Sequence, residues 1–180
     1  MERYGARVTD DQRVLVLMRH AKSDYPIGVS DHDRPLAPRG EREAGLAGDW
    51  LRSGGAGAIE PSIDSVLCST ATRTRQTLAR TGIDAPTEFL DRIYGATPGA
   101  IIDEINRVDA NVRSLLVVGH EPAMSQLALG LAGVDGSNPA AIERIMMKYP
   151  TSAMAVLRMS RPWHSLELGG AMLTTFHVPR

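Results

Sequence analysis

The sequence predicts an α/β protein built as a three-layer α/β/α sandwich around a mostly parallel sheet. Three short apolar segments, VLVLM (14–18), IDSVLCS (63–69) and SLLVVGH (114–120), have the length and β-branched content of strands buried on both faces. Each is followed by a stretch with helical spacing and a stop signal, the alternation that generates parallel βαβ units. With 180 residues and 43% apolar side chains the chain can bury a real core. A single domain over residues 1–180 is expected, with residues 1–13 extended or mobile.

The elements follow in order. VLVLM opens the sheet, and a polar loop with Pro26, Gly28, Pro35 and Pro38 leads away from it. PRGEREAGLAGDWLRSGG then begins with proline, carries Ala44, Leu46, Ala47, Trp50 and Leu51, and stops at Gly54-Gly55, as a helix does. IDSVLCS is the second strand, ATRTRQTLART with Gly82 the second helix, and TEFL (87–90) a short strand. Pro98 opens a helix over GAIIDEINRV. SLLVVGH is another buried strand, and PAMSQLALGLAG another helix with Pro122 in its first turn and Gly133 past its end. AMAVLRM (153–159) and AMLTTFHV (171–178) read as strands joined by a turn near Pro162-Trp163. The polar segments 24–38 and 133–150 are expected to be irregular, and no repeat or linker divides the chain. Met146-Met147 fits either the core or a contact surface.

Composition excludes several function classes. A net charge of −1 gives no reason to expect polyanion binding, and 4% aromatics is too few for a base-stacking platform, so no nucleic acid partner is expected. Cys68 is the only cysteine, which rules out a disulfide framework and a cysteine-rich zinc site and fits a reducing cytoplasm. MERYGARVTDDQR lacks the apolar stretch of a signal peptide, and the apolar region 114–133 is interrupted by His120, Glu121 and Pro122. A cytoplasmic protein away from the membrane is the expectation.

Three of the buried strands end alike: VLVLM in Arg19-His20, IDSVLCS in a turn toward Arg73 and Arg75, SLLVVGH in His120. Ligands of open α/β sheets bind beyond the carboxyl ends of the strands, so parallel neighbours would bring two histidines and at least one arginine to one rim. Helix N-termini start there as well, and they favour anions. This cationic, donor-rich set has no recognised metal spacing and suits a phosphoryl group better than a carboxylate, because three oxygens can each take several donors. Packing and solubility would not by themselves produce the same strand ending three times.

The motifs resemble a known family. LMRHAKSD resembles the RHG/RHA signature of the histidine phosphatase superfamily, whose fold is phosphoglycerate mutase-like. CSTATRTRQT resembles its second signature, S-x-x-x-R-x-x-Q-T, at Ser69, Arg73, Gln76 and Thr77, and VVGHEP resembles the third, with His120. The RHAKS start and the D-x-x-R-P-L-x-x-R-G run at Asp31, Arg34, Pro35, Leu36, Arg39 and Gly40 are similar to the short SixA-type phosphohistidine phosphatases. The resemblance spans roughly residues 14–133 and implies the following roles. His20 is the nucleophile that forms a phosphohistidine intermediate. Arg19, Arg73 and His120 are the donors to the phosphoryl oxygens, each worth about 3–4 kcal/mol by analogy with oxyanion holes. The imidazole of His20 must be neutral to attack, and neighbouring arginines lower its pKa. Neither cofactor nor metal is implied. LDRIYG places Asp91 where mutase-like members carry their acid, with a surface turn residue as the competing reading. Ser23, Asp24 and Arg39 are candidate contacts at the substrate rim.

The implied partner is a phosphorylated protein bearing phosphohistidine, or a small phosphorylated compound. Two alternatives stay open: a phosphate-binding or sensing protein with little turnover, and a small-molecule phosphomutase. Few residues are available for a mutase lid, which favours hydrolysis. A cysteine-dependent phosphatase is disfavoured, because a C-x5-R loop starting at Cys68 needs arginine at position 74, which is Thr74 with Arg73 and Arg75 on either side, and the loop lacks glycines. A magnesium receiver or glycine-rich nucleotide site is disfavoured by cations at the first strand end.

Overall fold

The computed structural model describes residues 12–133 and 135–180. Most of the segment 1–13 therefore lies outside the described residues, while Arg13 already belongs to the first strand. The elements are β1 (Arg13–Arg19), α1 (Pro38–Arg52), β2 (Ser65–Ser69), α2 (Thr72–Thr81), β3 (Thr87–Leu90), α3 (Pro98–Ile105), β4 (Ser114–Gly119), α4 (Ala123–Leu131), α5 (Pro139–Met147), β5 (Met154–Met159) and β6 (Met172–His177). The sheet has the order β3-β2-β4-β1-β5-β6. The pairs β3–β2, β2–β4 and β4–β1 are parallel, and β5 runs antiparallel to both of its neighbours. Five strands thus share one direction, and the sheet is mostly parallel, as predicted.

Period-two alternation divides the core into two layers. Leu15 and Leu17 of β1, with Leu115 and Val117 of β4, face α3, α4 and α5 through Ile101, Ile105, Leu127 and Ile145. Val14, Val16 and Met18, with Leu116 and Val118, face α1 and α2 through Ala47, Leu51 and Leu78. Every one of these β1 and β4 side chains is fully buried, so both faces of the two central strands are covered. Each large aliphatic side chain buried in this way contributes about 1.5–3 kcal/mol. At the entry to β4, the Asp64 carboxylate accepts from the amides of Arg113 (3.0 Å) and Ser114 (3.2 Å), which holds β2 and β4 in register.

Segment 133–150 departs from the sequence expectation of an irregular region, because it contains α5. The local chemistry explains it. Asn138 Oδ1 accepts from the amides of Ala140 (3.1 Å) and Ala141 (3.3 Å), and Pro139 occupies the first helical turn. The apolar stripe is only Ala141 and Ile145, too thin to stand out among polar neighbours. Met146 and Met147 at its end are exposed, so they are not core. Segment 24–38 is irregular, as expected, but it is tied at its base. Ser23 bridges Leu36, Asp24 N–H donates to Pro35 O (2.8 Å) and Ala37 N–H to Lys22 O (2.9 Å). Gly40 lets α1 approach this base, since a β-carbon there would collide with the Lys22 carbonyl.

Candidate active site

Met18, Val118 and Cys68 pair across β1, β4 and β2, so the carboxyl ends of three adjacent parallel strands align. The next residues are Arg19, Gly119 and Ser69, and His20 and His120 come directly after. His20 N–H donates to Gly119 O (2.9 Å), which keeps the β1 end against β4 for one further residue. The two imidazole centroids lie 5.2 Å apart.

His20 is 8% exposed. Its Nδ1 donates to the Ala21 carbonyl at 2.7 Å, which places the ring proton on Nδ1 and leaves the Nε2 lone pair uncommitted. Burial, reinforced by His120, Arg73 and Arg19, lowers its pKa from 6.5 to about 3, so the ring is neutral at ordinary pH. Ala21 N–H donates to Thr77 Oγ1 (2.9 Å) and Ser152 N–H to His20 O (3.1 Å), fixing the backbone on both sides of the ring. His120 Nε2 pairs with Ser69 Oγ at 2.8 Å. Ala71 N–H donates to the same hydroxyl oxygen (3.3 Å); with the hydroxyl proton turned toward Nε2, the ring proton of His120 sits on Nδ1. Burial, with Arg73 next in importance, lowers the His120 pKa to about 4.

The two arginines are held from outside the site. Arg19 Nη1 donates to the Tyr149 carbonyl (2.8 Å), and the Tyr149 hydroxyl donates to Leu17 O (2.5 Å). Arg73 donates through Nη1 to Asp31 O (2.6 Å) and through Nη2 to Asp31 Oδ2 (3.1 Å). The same carboxylate accepts from Tyr94 OH (2.6 Å) and Arg34 Nη1 (2.7 Å). The Tyr94 hydrogen bond, followed by the charge of Arg73, holds Asp31 down at about 2. Arg19 Nε, Arg73 Nε and His120 Nδ1 are buried and have no hydrogen-bond partner among the described residues. An unsatisfied buried donor costs about 1–3 kcal/mol, so three of them around one neutral imidazole form a cradle suited to an oxyanion.

A solved structure from Nakamurella multipartita, described as a candidate phosphohistidine phosphatase SixA, is similar to this chain with a TM-score of 0.83 and 38% identity, covering 93% of this chain and 96% of that one. The chain belongs to the histidine phosphatase superfamily. The profile of histidine phosphatase superfamily branch 1 matches residues 15–96. An uncharacterised Mycobacterium tuberculosis protein is 62% identical over 163 residues, covering 91% of this chain and all of the relative. A phosphohistidine phosphatase SixA homologue from Haemophilus influenzae is 28% identical over 127 residues, covering 66% of this chain and 77% of the relative.

In this histidine phosphatase superfamily member the structure gathers Arg19, His20, Arg73 and His120 at one place. Ser23 and Asp24 stand on the adjoining loop, where Arg34 donates to Ser23 Oγ and, through Nε, to Asp24 O (3.0 Å). Arg39 is not brought to the site: its Nε donates to Glu43 (2.7 Å) along α1, and Glu43 also receives Arg180 (2.8 Å). Asp91 lies beyond the end of β3, where its carboxylate accepts from Thr70 Oγ1 (2.5 Å), and Thr70 in turn contacts His32 Nε2 (3.1 Å). Among the described residues no contact joins Asp91 to either site histidine. Cys68 is buried, and burial pushes its thiol up to about 12, which makes it a core residue rather than a nucleophile. No group of three or more His, Cys, Asp or Glu side chains able to hold a metal occurs among the described residues.

Sequence reasoning missed how the clamp is supported. Asp31 was visible only as part of the D-x-x-R-P-L run, and Tyr94 only beside Asp91. That run was the available signal, because an acid on the loop after a cationic strand end is a natural partner for an arginine. The Tyr149 carbonyl has no sequence signal at all, since any residue supplies a carbonyl.

Proposed function

We propose that the protein is a phosphatase in which His20 Nε2 takes the phosphoryl group and water then removes it, with phosphohistidine on a protein as the substrate. The three buried, unpartnered donors Arg19 Nε, Arg73 Nε and His120 Nδ1 around a neutral His20 carry this reading. In the first step Nε2 attacks phosphorus, and the bond to the leaving group breaks with its electron pair on the leaving atom, which takes up a proton. Positive charge then develops on the His20 ring, where the Ala21 carbonyl on Nδ1 stabilises it. In the second step water attacks phosphorus, the P–Nε2 bond returns its pair to His20, and phosphate and a proton leave. Negative charge on the transferring oxygens meets Arg19, Arg73 and His120, and removing one such donor costs roughly 10²–10³ in kcat.

Similarity to the Nakamurella protein and to the Haemophilus SixA homologue supports a phosphoramidate substrate. An ester oxygen leaves poorly without an acid, whereas the imidazole of phosphohistidine needs less help. We assign Asp91 as proton donor for ester substrates, acting from the rim.

The test is to mix enzyme with radiolabelled phosphohistidine protein and quench in alkali, where a phosphorylated imidazole survives. Label should appear on the wild-type chain and vanish in His20→Asn. Label persisting in that variant overturns the nucleophile assignment. Phosphate binding with neither label nor turnover makes the protein a binding module.

A further inference from the structure

Ser69 and Leu90 pair at the ends of the parallel strands β2 and β3, so Thr70 and Asp91 follow side by side. Asp91 is exposed and opens the single turn Asp91–Ile93. A carboxylate there can rotate about its side-chain bonds, and a proton donor that wanders delivers poorly. Thr70 Oγ1 holds it, donating to Asp91 Oδ1 at 2.5 Å. Among the described residues that hydroxyl is the sole hydrogen-bond partner of the Asp91 carboxylate.

A hydroxyl has one proton to give. With the Thr70 proton committed to Asp91, His32 Nε2 donates to Thr70 Oγ1 at 3.1 Å. The donors therefore run in one direction, from imidazole to hydroxyl to carboxylate. Because Thr70 occupies Oδ1, a proton carried by Asp91 belongs on Oδ2.

His32 and Thr70 are themselves fixed. The His32 carbonyl accepts from Thr72 N–H (3.0 Å), and Asp33 Oδ1 lies 3.5 Å from Nδ1. Arg75 Nε donates to Thr70 O (2.9 Å), which pins the backbone beneath the hydroxyl. The His32 ring meets Tyr94 edge-on, with centroids 4.9 Å apart, and Tyr94 meets His120 in the same manner at 5.4 Å. A continuous path of contacts thus joins His120 to Asp91 through Tyr94, His32 and Thr70. Asp31 already accounts for the hold on Arg73, and the imidazole beside it turns its nitrogens to Thr70 and Asp33 instead.

We propose that His32 is a positioning residue that, through Thr70, fixes the Asp91 carboxylate relative to the phosphoryl cradle and so sets how well oxygen leaving groups are handled. The inference rests on the phosphatase reading and the Asp91 assignment above. In the ester reaction His20 Nε2 bonds to phosphorus, the P–O bond breaks with its pair on the ester oxygen, and Asp91 Oδ2 gives that oxygen a proton. Water attacking the phosphorylated His20 returns a proton to Asp91. His32 loses no proton in either step. It keeps the donor in place.

The experiment measures kcat and KM on phosphoramidate and on aryl phosphates of graded phenol acidity. His32→Phe keeps a ring against Tyr94 but has no donor, whereas His32→Gln keeps a donor near the Nε2 position. Thr70→Val and Thr70→Ser make the same contrast at the hydroxyl. His32→Phe and Thr70→Val should lower kcat on the ester of the least acidic phenol about tenfold, with KM within about twofold. The dependence of rate on phenol acidity should steepen as well, the mark of a weakened acid. Phosphoramidate turnover, which also reports correct folding, should stay within about twofold, and His32→Gln and Thr70→Ser should recover most of the ester rate. Placed on Asp91→Asn, His32→Phe should change the ester rate less than about twofold, because the two act as one unit. Equal effects of His32→Phe on ester and phosphoramidate, or a further tenfold loss (about) beside Asp91→Asn, overturn the positioning role. If Asp91→Asn itself spares the esters, the acid assignment falls and the role of His32 with it. Absence of turnover on every substrate, with no label on His20, overturns the phosphatase reading and removes both.

Discussion

Two imidazoles buried in the neutral form tie the stability of the fold to pH. The ordinary histidine pKa is 6.5, but the folded chain lowers His20 to about 3 and His120 to about 4. Between 6.5 and those values the unfolded chain binds the protons and the folded chain does not. The linkage therefore has one sign: stability is full above 6.5 and is lost as pH falls toward 3–4. Lowering the pH from about 7.5 to about 5 costs about 2 kcal/mol for each imidazole, about 4 kcal/mol for the pair. With an m-value of about 2 kcal/mol/M, the urea midpoint moves down by about 2 M. Urea melts of wild type and His20→Asn/His120→Asn at the two pH values isolate this contribution, because the other histidines are common to both. The double variant should lose about 4 kcal/mol less than wild type across the interval. The ring Cε1 proton resonances of the wild type give a second reading, with midpoints near 3 and 4. Identical pH dependence of the two proteins, or midpoints near 6.5, would refute the reasoning.

Three more predictions concern single side chains. Asp31→Asn keeps an oxygen for Arg73 but removes the charge, so kcat on phosphoramidate should fall on the order of 10- to 100-fold as the clamp loosens. Since Asp31 supports protonation of His120, the same variant should lower the His120 midpoint further, and an unchanged midpoint would remove Asp31 from the electrostatics of the site. Asp91→Asn should slow an aryl phosphate ester at least about tenfold more than phosphoramidate, the signature of general acid catalysis; equal losses on both would sink the acid assignment. Cys68→Ser should keep phosphoramidate turnover within about twofold while costing about 1–3 kcal/mol of stability for burying a hydroxyl. A folded but inactive Cys68→Ser protein would contradict its place in the core.

The parts of the fold that were legible share a physical cause. β1, β2 and β4 are buried on both faces, so nearly every position must be apolar and the run stands out. α5 was not legible, because two buried residues suffice to seat it and its cap is an ordinary Asn-Pro. The site divides in a similar way. Arg19, His20, Arg73 and His120 were legible because each carries chemistry that a strand end does not otherwise require. Arg39 shows the opposite case: it lies in a recognisable run but pairs along α1 with the buried Glu43. What holds Arg19 and Arg73 was hidden for two reasons. Tyr149 contributes through its backbone, and Asp31 acts across 42 positions of sequence.

The Tyr149 carbonyl on Arg19 spans 130 positions of the chain. His20 and Arg73 lie in the first half of the sequence, His120 enters only with β4, and the Arg19 anchor comes after α5. A chain emerging from the ribosome therefore carries His20, the nucleophile we propose, long before the Tyr149 carbonyl can hold Arg19. The Arg19 anchor needs the segment that leads into β5 to be seated against β1, so on the reading proposed above turnover requires the C-terminal third of the chain. Refolding followed by turnover should lag refolding followed by helix content, and the interval between them measures the docking of β5 against β1.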